Sequence, residues 1–394
     1  FQRDTKDMLA RMNEMPATLG ASSPYGNAGQ LRTRGWELGI SYNHSFGDAD
    51  FYANFNIYDG QTKVVSYPSS NQLLNSFYSG QNYGDIWGFE TDRYFTVDDF
   101  TWNTADGKYA PGAIQTGYAE GIANQNKLSN DNFQYGPGDI KFKDLNGDGE
   151  INGGDPNMVD PVTGEKIPVG SARNHGDYKV IGNALPRYEY AIRLGAAWKG
   201  FDLDLFFQGV GKRNMWMSSG FIVPLANNDD VTYLNQSSYN KIIYGDNNQI
   251  IGYEIDQNND YPCMFGSNAG AGTAAAPNLE TGRHNFYPQS RYLMNMAYLR
   301  FKTLTVGYTL PVEITRKALI QKARIYFSAD NLCFLYNGMN KYPLDPEIGS
   351  QWTFGGAQKT NVGASSDANG GANGYFGRRA PINRTFSFGI QVTF

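Results

Sequence analysis

Segments of about ten residues with strict apolar–polar alternation constrain this chain more than any other feature. At the C-terminus, Phe386, Phe388, Ile390, Val392 and Phe394 share one side, while Thr385, Ser387, Gly389, Gln391 and Thr393 share the other. Successive side chains of a strand point to opposite faces, so this reads as a strand with one oily and one wet surface. The same pattern runs through Trp36, Leu38, Ile40, Tyr42, His44 and Phe46, with His44 as the one polar intrusion. It returns in Tyr188, Tyr190, Ile192, Leu194, Ala196 and Trp198, in Phe201, Leu203, Leu205 and Phe207, and in Leu304, Val306, Tyr308 and Leu310.

Strands of soluble sandwiches also alternate, but they average about 5–6 residues, whereas a tilted strand crossing a bilayer needs about 9–11. Aromatics near the strand ends suit a membrane interface, where an amphipathic ring meets the headgroups. The connections sharpen the reading. Short links at Gly47–Asp50 and Lys199–Gly200 alternate with long ones over 59–186, from Val210 to about Met296, and from Asn337 to Pro381. Pro311 to Lys322 is a medium link, and its Val312–Gln321 stretch is predicted to make a short helical turn. Outer-membrane barrels have this asymmetry, with tight periplasmic turns and long external loops. The first dozen residues, Phe1 to Met12, read as irregular. Asn, Gly and Ser-rich stretches such as Ser267–Pro277 and Gly363–Gly374 are expected to bury no core.

Composition agrees. Aromatics make up 14% of the 394 residues, charged residues only 18%, and there are 46 glycines. The net charge of -5 argues against nucleic acid as a partner. Mean hydropathy is -0.51. No run approaches the roughly 18 apolar residues of a membrane helix, which leaves barrel strands open. An export signal is expected upstream of Phe1 or already removed, and the abrupt start suggests a fragment. Cys263 and Cys333 are expected to be unlinked thiols, and His44, His175 and His284 lack ligand spacing.

One segment carries specific chemistry. Residues 144–155 match the twelve-position calcium loop, with Asp144, Asn146 and Asp148 at positions one, three and five and Gly149 at six. Glu150 at seven would offer its carbonyl, Asn152 at nine a side chain or bridged water, and Asp155 at twelve a bidentate carboxylate. Ile151 would pack inward and anchor the loop. The competing reading is a hydrophilic turn with acidic spacing by chance. With no second loop and no flanking helices, a bound calcium would staple the loop in place. Enzyme chemistry finds little support. The acids Asp98, Asp99, Asp229, Asp230, Asp345 and Glu347 read as solvated, and no nucleophile elbow, phosphate loop or metal–histidine cluster is present. Trp87, Trp102, Trp216, Tyr233 and Trp352 lie in the long connections, where loop packing is favoured over stacking on cargo.

Several runs, in order, resemble the SusC-like family of TonB-dependent outer-membrane transporters. They include Gly35–Leu38, Gly138–Gly149, Val180–Asn183 with Pro186, Lys199–Leu203, Phe206–Val210, Tyr298–Leu304, Gly307–Pro311, Ser328–Leu332 and the closing Arg384–Phe394. The resemblance implies that residues 1–394 form the C-terminal part of an antiparallel, all-β barrel of about 22 strands with a plugged lumen. It further implies residence in the outer membrane of Bacteroidetes-type Gram-negative cells and active import of oligosaccharide or peptide. The implied partners are outer-membrane lipid, a SusD-like surface lipoprotein as lid, and the TonB machinery as energy source. The family's TonB box, plug and accessory domain are expected upstream of Phe1. The alternatives from other classes are a secreted, calcium-stiffened carbohydrate-binding or adhesive all-β protein, and a secreted glycoside hydrolase.

Overall fold

A computed structural model describes residues 1–12, 20, 24–129, 133–216, 238–246, 248–263, 285–339, 345–347 and 382–394. Eight strands form one antiparallel sheet in chain order: β1 (Gln2–Arg11), β2 (Tyr25–Phe46), β3 (Ala49–Ser66), β4 (Arg187–Trp198), β5 (Phe201–Lys212), β6 (Tyr298–Thr309), β7 (Lys322–Asn337) and β8 (Thr385–Thr393). Each strand pairs with its sequence neighbours, so the sheet is a simple meander.

The expected tight turns are present. Gly47 (φ +60) lies between β2 and β3, and Lys199–Gly200 (φ +47 and +88) joins β4 to β5. Left-handed residues, two in a type I′ turn such as Lys199–Gly200, are what a two-residue hairpin requires, because that turn's twist matches the strands it joins. The medium link is a helical turn, Val312–Thr315 followed by Arg316–Ala318, closed by Leu319 in the left-handed conformation.

Strand register aligns the alternation of all the strands. One row runs Tyr42, Ala53, Leu194, Leu205, Leu304, Ala329, Phe386. The next runs His44, Phe51, Ala196, Leu203, Val306, Phe327, Phe388. A third ends the hairpins with Phe46, Ala49, Trp198, Phe201, Tyr308, Ile325, Ile390. Among the described residues no second protein layer covers the large side chains of these rows: Tyr42 is 56% exposed, Trp198 54% and Phe388 83%. The opposite face reads Asn43, Tyr52, Gly195, Asp204, Thr305, Ser328, Ser387. It carries its own ionic links, with Arg193 Nε 2.8 Å from Asp204 and Arg324 Nη2 2.5 Å from Asp202. The Tyr52 hydroxyl also donates to Asp204.

Three expectations change. The opening stretch is not irregular: β1 pairs with β2 from Gln2–Arg34 to Arg11–Tyr25. The strand expected to stop near Tyr58 continues to Ser66, so the first long connection starts later than Asp59. That connection is also not structureless. Short paired strands, including Asp85–Gly88 with Lys179–Asn183 and Thr91–Tyr94 with Ile140–Phe142, build a layer beyond the wall. Its core holds Phe89, Tyr94, Ile140, Phe142 and Ile151, and a second cluster gathers Phe95, Phe100, Trp102, Phe133, Tyr135 and Cys263. Aromatic density supplies the burial that the glycine-rich composition seemed to deny. Ser267–Pro277 and Gly363–Gly374 lie outside the described residues.

Candidate functional site

The calcium-type loop sits on this outer layer. Each short side chain caps the turn that follows it. Asp144 accepts from the N–H of Gly147 (2.6 Å) and Gly149 (3.0 Å), Asn146 from Asp148 (2.9 Å), and Asp148 from Glu150 (2.8 Å). Such Asx turns are how Asp and Asn replace secondary structure in a tight loop. Gly149 has φ +82, which a side chain would oppose. The ends of Asn146, Asp148 and Asn152 meet, because both amides donate to Asp148 Oδ2, at 2.9 and 3.3 Å. Their oxygens are engaged with the backbone, Asn146 Oδ1 with Asp148 N at 2.9 Å and Asn152 Oδ1 with Gly154 N at 2.8 Å, so a hard cation that demands oxygen would have to draw them out of their turns.

Asp155 is used differently. It is exposed, and its carboxylate accepts from Asn157 N at 2.8 Å. The side chains that meet are thus Asn146, Asp148 and Asn152, while Asp144 is turned to the N–H groups of Gly147 and Gly149. Among the described residues no group of three or more His, Cys, Asp or Glu has metal-holding geometry. Glu150 is fixed through its backbone, where Asn124 forms a short bridge opposite it. Ile151 is 1% exposed and packs into the larger core, as its position in the pattern suggested.

Sequence reasoning missed the residues beneath the loop. Asp177 is fully buried, and its oxygens accept from Leu145 N (2.7 Å) and Asn152 N (2.9 Å). Burial raises its carboxyl above the usual range, and the nearby charge of Asp144 adds to the rise. Asn174, also buried, exchanges hydrogen bonds with the backbone of Asp155, both at 2.8 Å. Neither lies in the contiguous motif, and the one visible signal was the Asn-x-Gly-Asp turn chemistry at 174–177.

The candidate acids fall into structural roles. Asp99 is buried, not solvated, and takes both arms of Arg93 at 2.6 and 2.5 Å. Asp98 lies beside it in the same short helical turn. Asp345 and Glu347 hold Arg300 at 2.5 and 3.2 Å, and Glu347 also holds Lys302 at 2.5 Å. Glu90, gripped by Lys143 and Lys179, is held down at about 2. Asp139 is 1% exposed, and burial pushes its carboxyl up to about 7, against hydrogen bonds from Gly136 N and Asn285. Asp229 and Asp230 lie outside the described residues.

Trp102 is buried and donates to Val97 O at 2.9 Å, while Trp87 and Trp216 pack against the larger core. All three therefore serve loop packing, while Tyr233 and Trp352 lie outside the described residues. His44 stacks on Tyr42 and meets Phe46 edge-on along the apolar face, His175 lies against Trp87, and His284 lies outside the described residues. Cys263 is buried, Cys333 is exposed, and both are free. On the wall, a groove of about 400 Å³ is lined by Glu37, Asn56, Tyr58, Glu189 and Gln208, among others.

No described protein family's sequence profile matches the chain. Over 99% of its length it is 24% identical to TonB-dependent receptor P3 of Formosa agariphila, of which it covers 31%. Among solved structures it is similar to the RagAB peptide importer in the open-open state, with 19% identity and a TM-score of 0.52 over the whole of this chain and 32% of that one. A RagAB peptide transporter structure aligns at 19% identity and TM-score 0.47, again over the whole chain and 32% of the other. The chain therefore spans about a third of the length of the relatives it matches. The resemblance to TonB-dependent transporters holds in sequence along nearly the entire chain and in fold, and the curated relative is a receptor, not an enzyme.

Proposed function

We propose that this chain is the C-terminal wall of a SusC-like importer in the outer membrane, which takes up nutrient oligomers, oligosaccharide or peptide, with energy from the TonB system. The uncovered apolar rows across the sheet carry this reading. A water-soluble protein rarely leaves more than a few hundred Å² of contiguous apolar surface bare. Lipid is the occupant that suits a face of alternating strands with aromatics at its ends. In hydrocarbon every unpaired backbone group costs several kcal/mol, so upstream strands would meet the outer edges of β1 and β8 and close a barrel of about 22 strands. The loop layer would then face outward, towards cargo and a SusD-like lipoprotein lid. Deleting the gene should abolish growth on one class of oligomer while leaving growth on its monomer intact. Unchanged uptake of every oligosaccharide and peptide tested would refute the assignment.

Calcium belongs to the same proposal. Asp144, Asn146, Asp148 and Asn152 would supply side-chain oxygens, Glu150 its carbonyl, and Asp155 would join by leaving its own turn. Of the three carboxylates, Asp155 must first leave its own turn, which points to the weak end of such sites, about 10⁻⁴–10⁻³ M. Replacing Asp144 and Asp148 together with Ala should abolish bound calcium in the detergent-purified protein. Equal metal content in the two forms would remove the ion from the proposal.

A further inference from the structure

A calcium loop of this type is ordinarily gripped by a helix on either side, and here neither flank is helical. Something else must hold its ends. Asp177 reaches both halves at once, taking Leu145 N near the entry on Oδ1 and Asn152 N near the exit on Oδ2. Asn174 continues the grip, accepting from Asp155 N and donating to the carbonyls of Asp155 (2.8 Å) and Ile167 (3.0 Å). The fit between the segments is close. Gly176 has φ +52, and a Cβ there would stand 2.4 Å from Asn152 O.

We propose that Asn174 and Asp177 form a clamp that closes the 144–155 loop before any ion arrives and so positions its cation-binding side chains. The closure is independent of the calcium reading; only the effect on affinity rests on it. A carboxyl suits the task because its two oxygens can each accept, so one side chain holds a backbone N–H from either half of the loop. Closing the loop in advance removes an ordering cost that binding would otherwise have to meet. The same clamp shuts the base of the 156–173 excursion, because Gly170 N donates to both Gly153 O and Asn174 O, each at 2.9 Å.

Hydrogen exchange on the complete transporter in detergent, stripped of ions by a chelator, tests this. In Asp177→Asn the amides of 144–155 should exchange about tenfold faster or more than in the parent. Calcium affinity measured by calorimetry should fall by a similar factor. Saturating calcium should restore protection in Asp177→Asn, whose ligands are intact, but not in Asp144→Ala. Asn174→Ala, which removes only neutral hydrogen bonds, should show a smaller opening and serves if Asp177→Asn does not assemble. A loop in both variants that exchanges at the parent's rate without ions overturns the clamp. A parent that is protected without ions and opened by Asp177→Asn, yet takes up no calcium, upholds the clamp and removes the calcium reading alone.

Discussion

Asp139 shows how much a single side chain in the outer layer depends on its proton. It joins two distant segments, since Asn285 donates to its carboxyl while accepting from Ile140 N, both at 2.8 Å. Its folded pKa of about 7 stands above the unfolded value of about 3.9. Between those values the folded form keeps a proton that the unfolded chain has lost, so its contribution is full below about 4 and lost as pH rises through about 7. The outer layer should therefore melt on the order of a few degrees higher at pH 5 than at pH 8. Asp139→Asn should flatten that difference, and a scan of both forms at the two pH values would decide it. Neither this role nor that of Asp177 was legible in the sequence. The turns of the 144–155 loop were legible because their Asp, Asn and Gly residues stand in consecutive positions. Asp139 and Asp177 take their meaning from partners 146 and 25 residues away, which no local pattern encodes.

At the scale of elements, period-two alternation carried most of the wall, because one face of each strand must be apolar along its whole height. It failed at β1 for an identifiable reason. Asp7 adopts φ +56, and the register with β2 shifts between Thr5 and Met8 and again before Leu9, which puts the alternation out of phase in the middle of the strand. The sequence there is also mostly polar, so neither face announced itself. The loop layer escaped for the opposite reason, since its aromatics are scattered along short strands and meet only in space. The wall's two faces make a sharp prediction. Leu205 lies in an apolar row between Leu194 and Leu304, and Thr305 in the adjacent polar row opposite Asp204. Leu205→Arg should cost about 2–4 kcal/mol if the row lies at the bilayer midplane, whereas Thr305→Arg should cost far less. Unfolding the complete transporter in lipid vesicles by denaturant would measure both. Equal losses would mean that the apolar face does not meet lipid.

Among the described residues the main sheet is open, with β1 at one edge and β8 at the other. Eight strands are enough to close a narrow barrel whose interior is filled by side chains, yet β1 and β8 each pair on one side only. The polar face carries its Arg193–Asp204 and Arg324–Asp202 pairs, chemistry that suits contact with water. An open sheet and a narrow barrel differ in what the isolated 394 residues do. A narrow barrel would form alone, resisting protease and running anomalously on unheated gels. An open sheet would leave two rows of backbone N–H and C=O groups against lipid, a cost that about ten residues per edge make prohibitive. Refolded alone into vesicles, the 394 residues should therefore stay protease-sensitive and show no heat-dependent mobility shift. Under the proposed reading, a longer chain that adds the upstream strands should show both signs of closure. Closure of the short piece on its own would mean that these strands curl more tightly than a wide import pore permits, and would remove the physical basis for assigning one.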